Sequence, residues 1–292
     1  MTSPDFTRNS DNFCYRHPDR QSFVLCQRCM RTICPECQTQ GAVGVICPEC
    51  MAEQQKSQTP SQKKAERRWA RPVALAARDS RPLVTYGIIA LAALVYVTQL
   101  IPGLPVQELL AFNSLFVMPS AGVAPFQPWR LLTVLFVHSG FFHIGLNMLA
   151  VWMIGRSLEP LLGHWRFLAL YLLSGLGGSV GVALIAPNVW VVGASGAVFG
   201  LLGALLVIGR HIGANIRGIL IILGINLVIG FVPGFQVAWQ AHLGGLAIGA
   251  LVGFIYARTR SARRRALQVA LLIAVAVGLF ALLLVPPLIY TY

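Results

Sequence analysis

Hydropathy divides the chain into two textures. Residues 1–82 contain no apolar run, whereas from Leu83 onward uncharged stretches recur at the length of a bilayer core. The first, 83–101, is free of charge over 19 residues, close to the ~20 that a membrane-crossing helix needs. Further apolar runs at 131–154, 167–186, 194–209, 218–232, 238–257 and 267–285 bring the predicted helices to seven. The fourth and fifth are short for a full crossing. They are expected to start inside the membrane or to lie against protein.

Composition agrees with this division. The hydrophobic fraction is 56% and the charged fraction 11%, against roughly 25% charge in soluble domains, which argues against a water-soluble globule. Of 23 Lys/Arg, 13 precede residue 83, as do eight of the ten Asp/Glu. Residues 52–82 are rich in Gln, Lys and Arg and bury too little apolar surface to offset ordering, so they read as a basic flexible linker. The polar segment 1–51 has no apolar run, and no signal peptide is expected there.

Charge placement gives an orientation. Arg156 and Arg166 flank the turn between the second and third predicted helices, and Arg210 and Arg217 that between the fourth and fifth. Arg258, Arg260, Arg263, Arg264 and Arg265 precede the last, and the opposite side has only Arg130. Positive charge collects on cytoplasmic loops. The N-terminus is therefore expected in the cytoplasm, the C-terminus outside, and the chain in the plasma membrane as a multi-pass protein. The long connection 102–129 then lies outside and has a functional or membrane-associated role.

All seven cysteines fall in the head. They read Cys14-x2-His17, Cys26-x2-Cys29, Cys34-x2-Cys37 and Cys47-x2-Cys50, eight ligands for two tetrahedral zinc ions. Disulfides are the competing reading. They need an oxidising compartment and an even number of cysteines, and neither is met. Spacing leaves the combination of the four pairs open; first with third and second with fourth is expected over sequential pairing. The head resembles a B-box-type zinc finger, which implies a small interaction module.

In the membrane body, polar residues concentrate in three places. The second predicted helix carries His138, His143 and Asn147, the fourth opens with Gly193-Ala194-Ser195-Gly196, and the sixth with His242-Leu243-Gly244-Gly245. Intramembrane polar groups are costly, which makes each a functional candidate. Gly196, Gly200 and Gly203 on one helix, and Gly245, Gly249 and Gly253 on the other, would allow close backbone approach. Such packing would bring Ser195 to His242, a base able to activate it as a nucleophile. Glu108 and Glu159 are the only acidic residues after position 82, and neither is expected to reach His242. A Ser–His dyad follows, with Asn147, His143 and the Ser195 backbone N–H available to an oxyanion.

These motifs resemble the rhomboid family of intramembrane serine proteases: Trp129-Arg130, then His138, His143 and Asn147, then the Gly-Ala-Ser-Gly around Ser195, and Ala241-His242 followed by Gly245. The resemblance implies Ser195 as nucleophile, His242 as general base, and His143 with Asn147 as oxyanion donors. It implies cleavage of membrane-anchored proteins near the external membrane face, at small residues in segments that unwind easily. The expected fold is an all-α polytopic membrane protein with a six-helix core at 83–257. A basic loop and seventh helix follow at 258–292, and a cytoplasmic zinc-binding domain at 1–51 precedes the core. His138 has two readings, a chemical role or support of the external loop, and Trp129-Arg130 reads as structural.

Expected partners are membrane-spanning protein substrates, the lipid bilayer and a cytosolic protein bound by the head, with no nucleic acid. Two structural zinc ions are the expected cofactors, and catalysis needs none. From the binding class, a membrane adaptor that holds helices without cutting them is the alternative. A transporter fits poorly, since no charged pair or inverted repeat marks a midplane site.

Overall fold

A computed structural model describes residues 10–40, 44–59, 81–118, 125–214, 216–229 and 237–290. The chain divides into two units, Met1–Arg68 and Trp69–Tyr292. Most of the expected linker, residues 60–80, lies outside the described residues, as do 119–124 of the long connection.

The first unit has little regular structure. A two-stranded antiparallel hairpin joins β1 (Thr39–Gln40) to β2 (Val45–Ile46), and helix α1 (Pro48–Ser57) continues past residue 51. Its buried apolar residues are six cysteines and Ile33. One aliphatic side chain cannot supply a core, and domains this small need staples or metals to fold.

Helices dominate the second unit. They are α2 (Leu83–Gln99), α3 (Val106–Leu110), α4 (Arg130–Thr133), α5 (Phe141–Leu162), α6 (His164–Ile185), α7 (Ser195–Ile212), α8 (Arg217–Ile229), α9 (Trp239–Arg258), α10 (Arg265–Leu282) and α11 (Pro286–Ile289). Among the described residues, five helical spans are long and apolar enough to cross a bilayer, and Leu83–Gln99 is a shorter apolar helix. The protein is a multi-pass membrane protein. Many large apolar side chains on α2, α5, α8 and α10, such as Leu94, Leu146, Ile221 and Ile273, point outward, as lipid-facing residues do.

One expected boundary moves. The apolar run at 131–154 is not one helix: α4 and a 3-10 turn at Val134–Phe136 occupy its start, and α5 begins only at Phe141. Between them Val137 is extended, and His138, Ser139 and Gly140 are poor helix formers. His138 therefore precedes the helix rather than lying on it. At the other end α5 runs through Pro160 to Leu162, so Arg156 sits within the helix.

Glycines set the central packing. A Cβ at Gly245 would collide with the Gly196 carbonyl oxygen, one at Gly249 with the Gly200 backbone, and one at Gly253 would lie 2.8 Å from Ala204 Cα. The contacts advance together along both chains, so α7 and α9 are parallel and touch backbone to backbone. Helix α6 runs antiparallel to both. A Cβ at Gly181 would lie 2.7 Å from the Gln240 carbonyl, one at Gly178 would lie 3.1 Å from that of Ala241, and one at Gly200 would strike Ser174. Close approach of small residues lets dispersion act in a membrane, where burial from water no longer drives helix association.

Glu159, on α5, is almost fully buried and accepts from the backbone N–H groups of Val84 (2.9 Å) and Thr85 (2.8 Å). Pro82 offers the start of α2 no side-chain cap, so a carboxylate from another helix supplies it. Thr85 Oγ1 also donates to Glu159, and His164 Nδ1 pairs with it.

Candidate active site and metal centres

Sequence places Ser195 at the first position of α7, where the leading N–H groups have no partner inside the helix. The preceding turn is fixed on three sides. Val191 pairs with Phe112 through hydrogen bonds of 2.9 and 3.0 Å, and the Gly193 N–H donates to the Val134 carbonyl at 3.0 Å. Gly193 also has φ +112°, a conformation that side chains avoid, and a Cβ there would lie 2.6 Å from His143 Nε2. Two independent reasons thus require glycine at 193, and one of them is the His143 ring itself.

His242 lies in the first turn of α9 and is buried. Its ring stacks on Phe199 with centroids 4.0 Å apart and planes 10° apart. Phe199 is four residues beyond Ser195, so the same face of α7 that presents the serine supports the histidine. Such a stack is worth ~0.5–1.5 kcal/mol and fixes the plane of the ring. Below it, Gly196 and Gly245 are in contact, which holds the two helix starts together. No hydrogen bond joins Ser195 Oγ to the His242 ring.

His143 is on the first turn of α5, and its Nδ1 lies 3.0 Å from Ser139 Oγ. Asn147 is buried and spends one amide hydrogen on the His143 carbonyl at 2.9 Å, leaving the other for a further acceptor. His138 packs edge-on against His143 with ring centroids 5.1 Å apart. It is 1% exposed, and neither ring nitrogen has a hydrogen-bond partner among the described residues. Its backbone is braced instead: the Gln99 side chain accepts from the His138 N–H at 3.1 Å and donates to its carbonyl at 3.0 Å.

Arg130 is an anchor within the external connection. It is 3% exposed, donates to the carbonyls of Glu108 (2.7 Å) and Ala111 (2.6 Å) and to Gln127 Oε1 (2.6 Å), and lies over the Phe116 ring. Burial pushes its pKa down. Trp129 is half exposed, and its indole N–H reaches the Leu109 carbonyl at 3.4 Å. Glu108 contributes here through its carbonyl, and Glu159 is committed to α2. Neither carboxylate meets His242.

Three contributors escaped the sequence reading: Phe199 behind His242, Ser139 beside His143, and the glycines of α6. The first had a legible signal in its i, i+4 spacing from Ser195. Ser139 is also four residues from His143, but lies ahead of α5, and the glycines of α6 depend on tertiary contacts.

In the first unit the eight metal-ligand candidates form two groups, Cys14, His17, Cys34, Cys37 and Cys26, Cys29, Cys47, Cys50, with the ligand atoms of each within 4.8 Å of one another. First joins third and second joins fourth. Bonds of ~2.3 Å to sulfur and ~2.0–2.1 Å to nitrogen at tetrahedral angles require ligand separations of roughly 3.5–3.8 Å. His17 Nδ1 lies 3.4 Å from both Cys34 and Cys37 Sγ and 3.8 Å from Cys14 Sγ, and Cys29 and Cys47 Sγ are 3.8 Å apart. The residues therefore fit a tetrahedral ion at each centre.

Thiol electrostatics agree. Burial works to raise Cys14 and Cys26, but backbone N–H donors outweigh it and bring both down to about 6. Burial and neighbouring thiols push Cys37 up to about 11 and Cys50 up to about 12. Each centre thus holds one thiol that ionises readily, Cys14 or Cys26, and one that resists ionisation unless a cation offsets the charge, Cys37 or Cys50.

A membrane bundle with paired polar helix starts beneath an anchored loop, preceded by two Cys/His centres, defines the class of this molecule. A family model for the rhomboid domain matches residues 125–259. The putative rhomboid protease YdcA of Bacillus subtilis is 34% identical over 191 residues, covering 62% of this chain and 92% of that protein. The rhomboid protease GluP of the same organism is 35% identical over 213 residues, 69% of this chain and 40% of GluP. RHOMBOID-like protein 1 of Arabidopsis thaliana is 42% identical over 137 residues, 44% of this chain and 35% of that protein. The chain belongs to the rhomboid family, and it spans well under half the length of the latter two relatives.

Proposed function

We propose that the protein is an intramembrane serine endopeptidase acting on membrane-spanning or membrane-anchored proteins near the external membrane face. Ser195 is the nucleophile and His242 the general base. The carrying observation is the α7–α9 glycine seam, which presses the two helix starts together, with His143 Nε2 directed at the turn before Ser195.

In this reading His242 takes the Ser195 hydroxyl proton as Oγ attacks a substrate carbonyl. His143, the free Asn147 amide hydrogen and the Ser195 N–H then meet the oxyanion. His242 next returns the proton to the leaving amine, and water repeats the sequence on the acyl-enzyme. The Glu159 carboxylate is engaged at the start of α2 and Glu108 meets Arg130 only through its backbone carbonyl, so ring stacking on Phe199 orients the base in place of a third triad member. In substrate-free sites the nucleophile–base hydrogen bond is often open and tightens on binding, which accounts for the unbonded Ser195.

The basic loops support a cytoplasmic head and linker, an external C-terminus, and residence in the plasma membrane. Zinc is the proposed occupant of both centres, in a structural role, with residues 1–51 as the zinc domain, 52–82 as linker, 83–257 as protease core and 258–292 as basic loop and final helix. A cytosolic protein is the proposed partner of the head.

The active-site assignment is tested with a fluorophosphonate probe on the purified full chain. Stoichiometric labelling at Ser195, lost in His242→Ala, is expected; equal labelling of that variant overturns the dyad.

The metal assignment predicts two zinc ions per chain by elemental analysis. A structural zinc site supplies ~10–16 kcal/mol of apparent free energy, comparable with or above a domain's whole stability of ~5–15 kcal/mol. Chelation should therefore open the head to protease while the membrane helices stay protected. The lowered thiol values give the sign for acid: thiolate-linked stability is complete above the ~8.5 of a free thiol and is lost as pH falls through about 6.

A further inference from the structure

His143 Nδ1 lies 3.3 Å from the Ser139 backbone nitrogen and 3.0 Å from Ser139 Oγ. A backbone N–H can only donate, so Nδ1 must be the bare, accepting nitrogen of a neutral ring. The ring proton then sits on Nε2, the atom that faces Gly193.

We propose that Ser139 is a positioning residue that locks His143 as the Nε2–H tautomer. The consequence is a matter of sign. With Nε2 protonated, the ring offers the turn before Ser195 a donor; in the opposite tautomer it offers a lone pair, which repels a developing oxyanion. One such donor is worth ~10²–10³ in kcat.

Local geometry makes the lock available. Ser139 precedes Gly140, the residue that caps α5, so its N–H lies outside the helical ladder and is free to reach the ring four residues on. The hydroxyl adds a second donor to the same nitrogen. His138, edge-on to the ring, restricts rotation of the histidine without bonding its nitrogens, and the Asn147 amide holds only the His143 backbone carbonyl. No other hydrogen bond to the His143 ring is formed among the described residues.

The inference rests on His143 being an oxyanion donor, and the test separates the two. Ring 15N resonances of histidine-labelled full-length protein, assigned by comparison with His143→Ala, report the tautomer without any cleavage assay. The wild type should show the proton on Nε2. Ser139→Ala removes the closer hydroxyl donor at 3.0 Å and leaves only the backbone contact at 3.3 Å, so it should admit the other tautomer and lower kcat about 5-fold at unchanged KM, and Ser139→Thr should restore both. At ~1.4 kcal/mol per tenfold, a 5-fold fall is ~1 kcal/mol, the size of one hydrogen bond. A wild-type proton on Nδ1, or an unchanged tautomer and kcat in Ser139→Ala, overturns the proposal. If the tautomer shifts in Ser139→Ala but kcat does not, the lock stands and the oxyanion role of His143 falls.

Discussion

Ser195→Ala is expected to abolish cleavage of a single-span model substrate, with a loss of at least ~10⁴-fold in kcat and no change in the unfolding temperature. The size follows from the chemistry. Without the hydroxyl no acyl-enzyme forms, and only binding and oxyanion stabilisation remain, a residual ~10³–10⁴ over water in serine hydrolases that have lost a member of the machinery. Retained folding follows from the structure: Ser195 lies at a helix start, is partly exposed, and makes no side-chain hydrogen bond among the described residues. His242→Ala should fall by a similar factor, and the double variant no further, since two residues acting as one unit are not additive. His242→Ala also removes the Phe199 stack, so its unfolding temperature should drop by a few degrees where that of Ser195→Ala does not. Undiminished cleavage by Ser195→Ala would overturn Ser195 as the nucleophile, whereas full cellular function of that variant without cleavage would favour the adaptor. Released ectodomains, compared between membranes carrying wild type and Ser195→Ala, would extend the test to natural substrates.

The second large effect should come from a residue that never meets substrate. Gly249→Ala adds one methyl group where the Gly200 backbone already stands, and backbone cannot rotate aside as a side chain can. Helices α7 and α9 must therefore separate, at a cost of ~1–3 kcal/mol for overpacking. The shift is carried to both helix starts, and a displacement of ~1 Å between reacting groups costs ~10²-fold in rate. Cleavage should fall about 100-fold, with fluorophosphonate labelling slowed in parallel, while the protein remains folded. Gly278→Ala on α10 is the control, because a Cβ there meets nothing within 4 Å. Equal effects of the two substitutions would mean that the seam does not position the site.

Much of this architecture was legible because membrane and metal impose simple rules. A bilayer demands long uncharged helices, and α6, α7, α9 and α10 lie close to where hydropathy places them. Close backbone approach demands small residues, and the paired glycines of α7 and α9 meet as their spacing suggests. Tetrahedral coordination needs four ligands, and eight residues in four short-spaced pairs form two groups.

What escaped the sequence has a common cause. The run at 131–154 averages as apolar and carries no charge before Arg156, so hydropathy does not report that Val137, His138, Ser139 and Gly140 leave the helix. Sequence marks Glu159 only as a carboxylate that does not reach His242, yet its value lies in a contact 75 residues away in the chain, at the unpaired start of α2. Phe199 looks like one more apolar residue until His242 arrives from another helix.

By itself the sequence determined the membrane class, the family motifs, the eight metal-ligand candidates and the scarcity of carboxylates after residue 82, because each depends on which residues exist and how they are spaced. Tertiary structure decided which groups face which: His143 Nε2 toward Gly193, Phe199 behind His242, Glu159 on α2. Those relations join residues of separate elements, and their direction is set by packing.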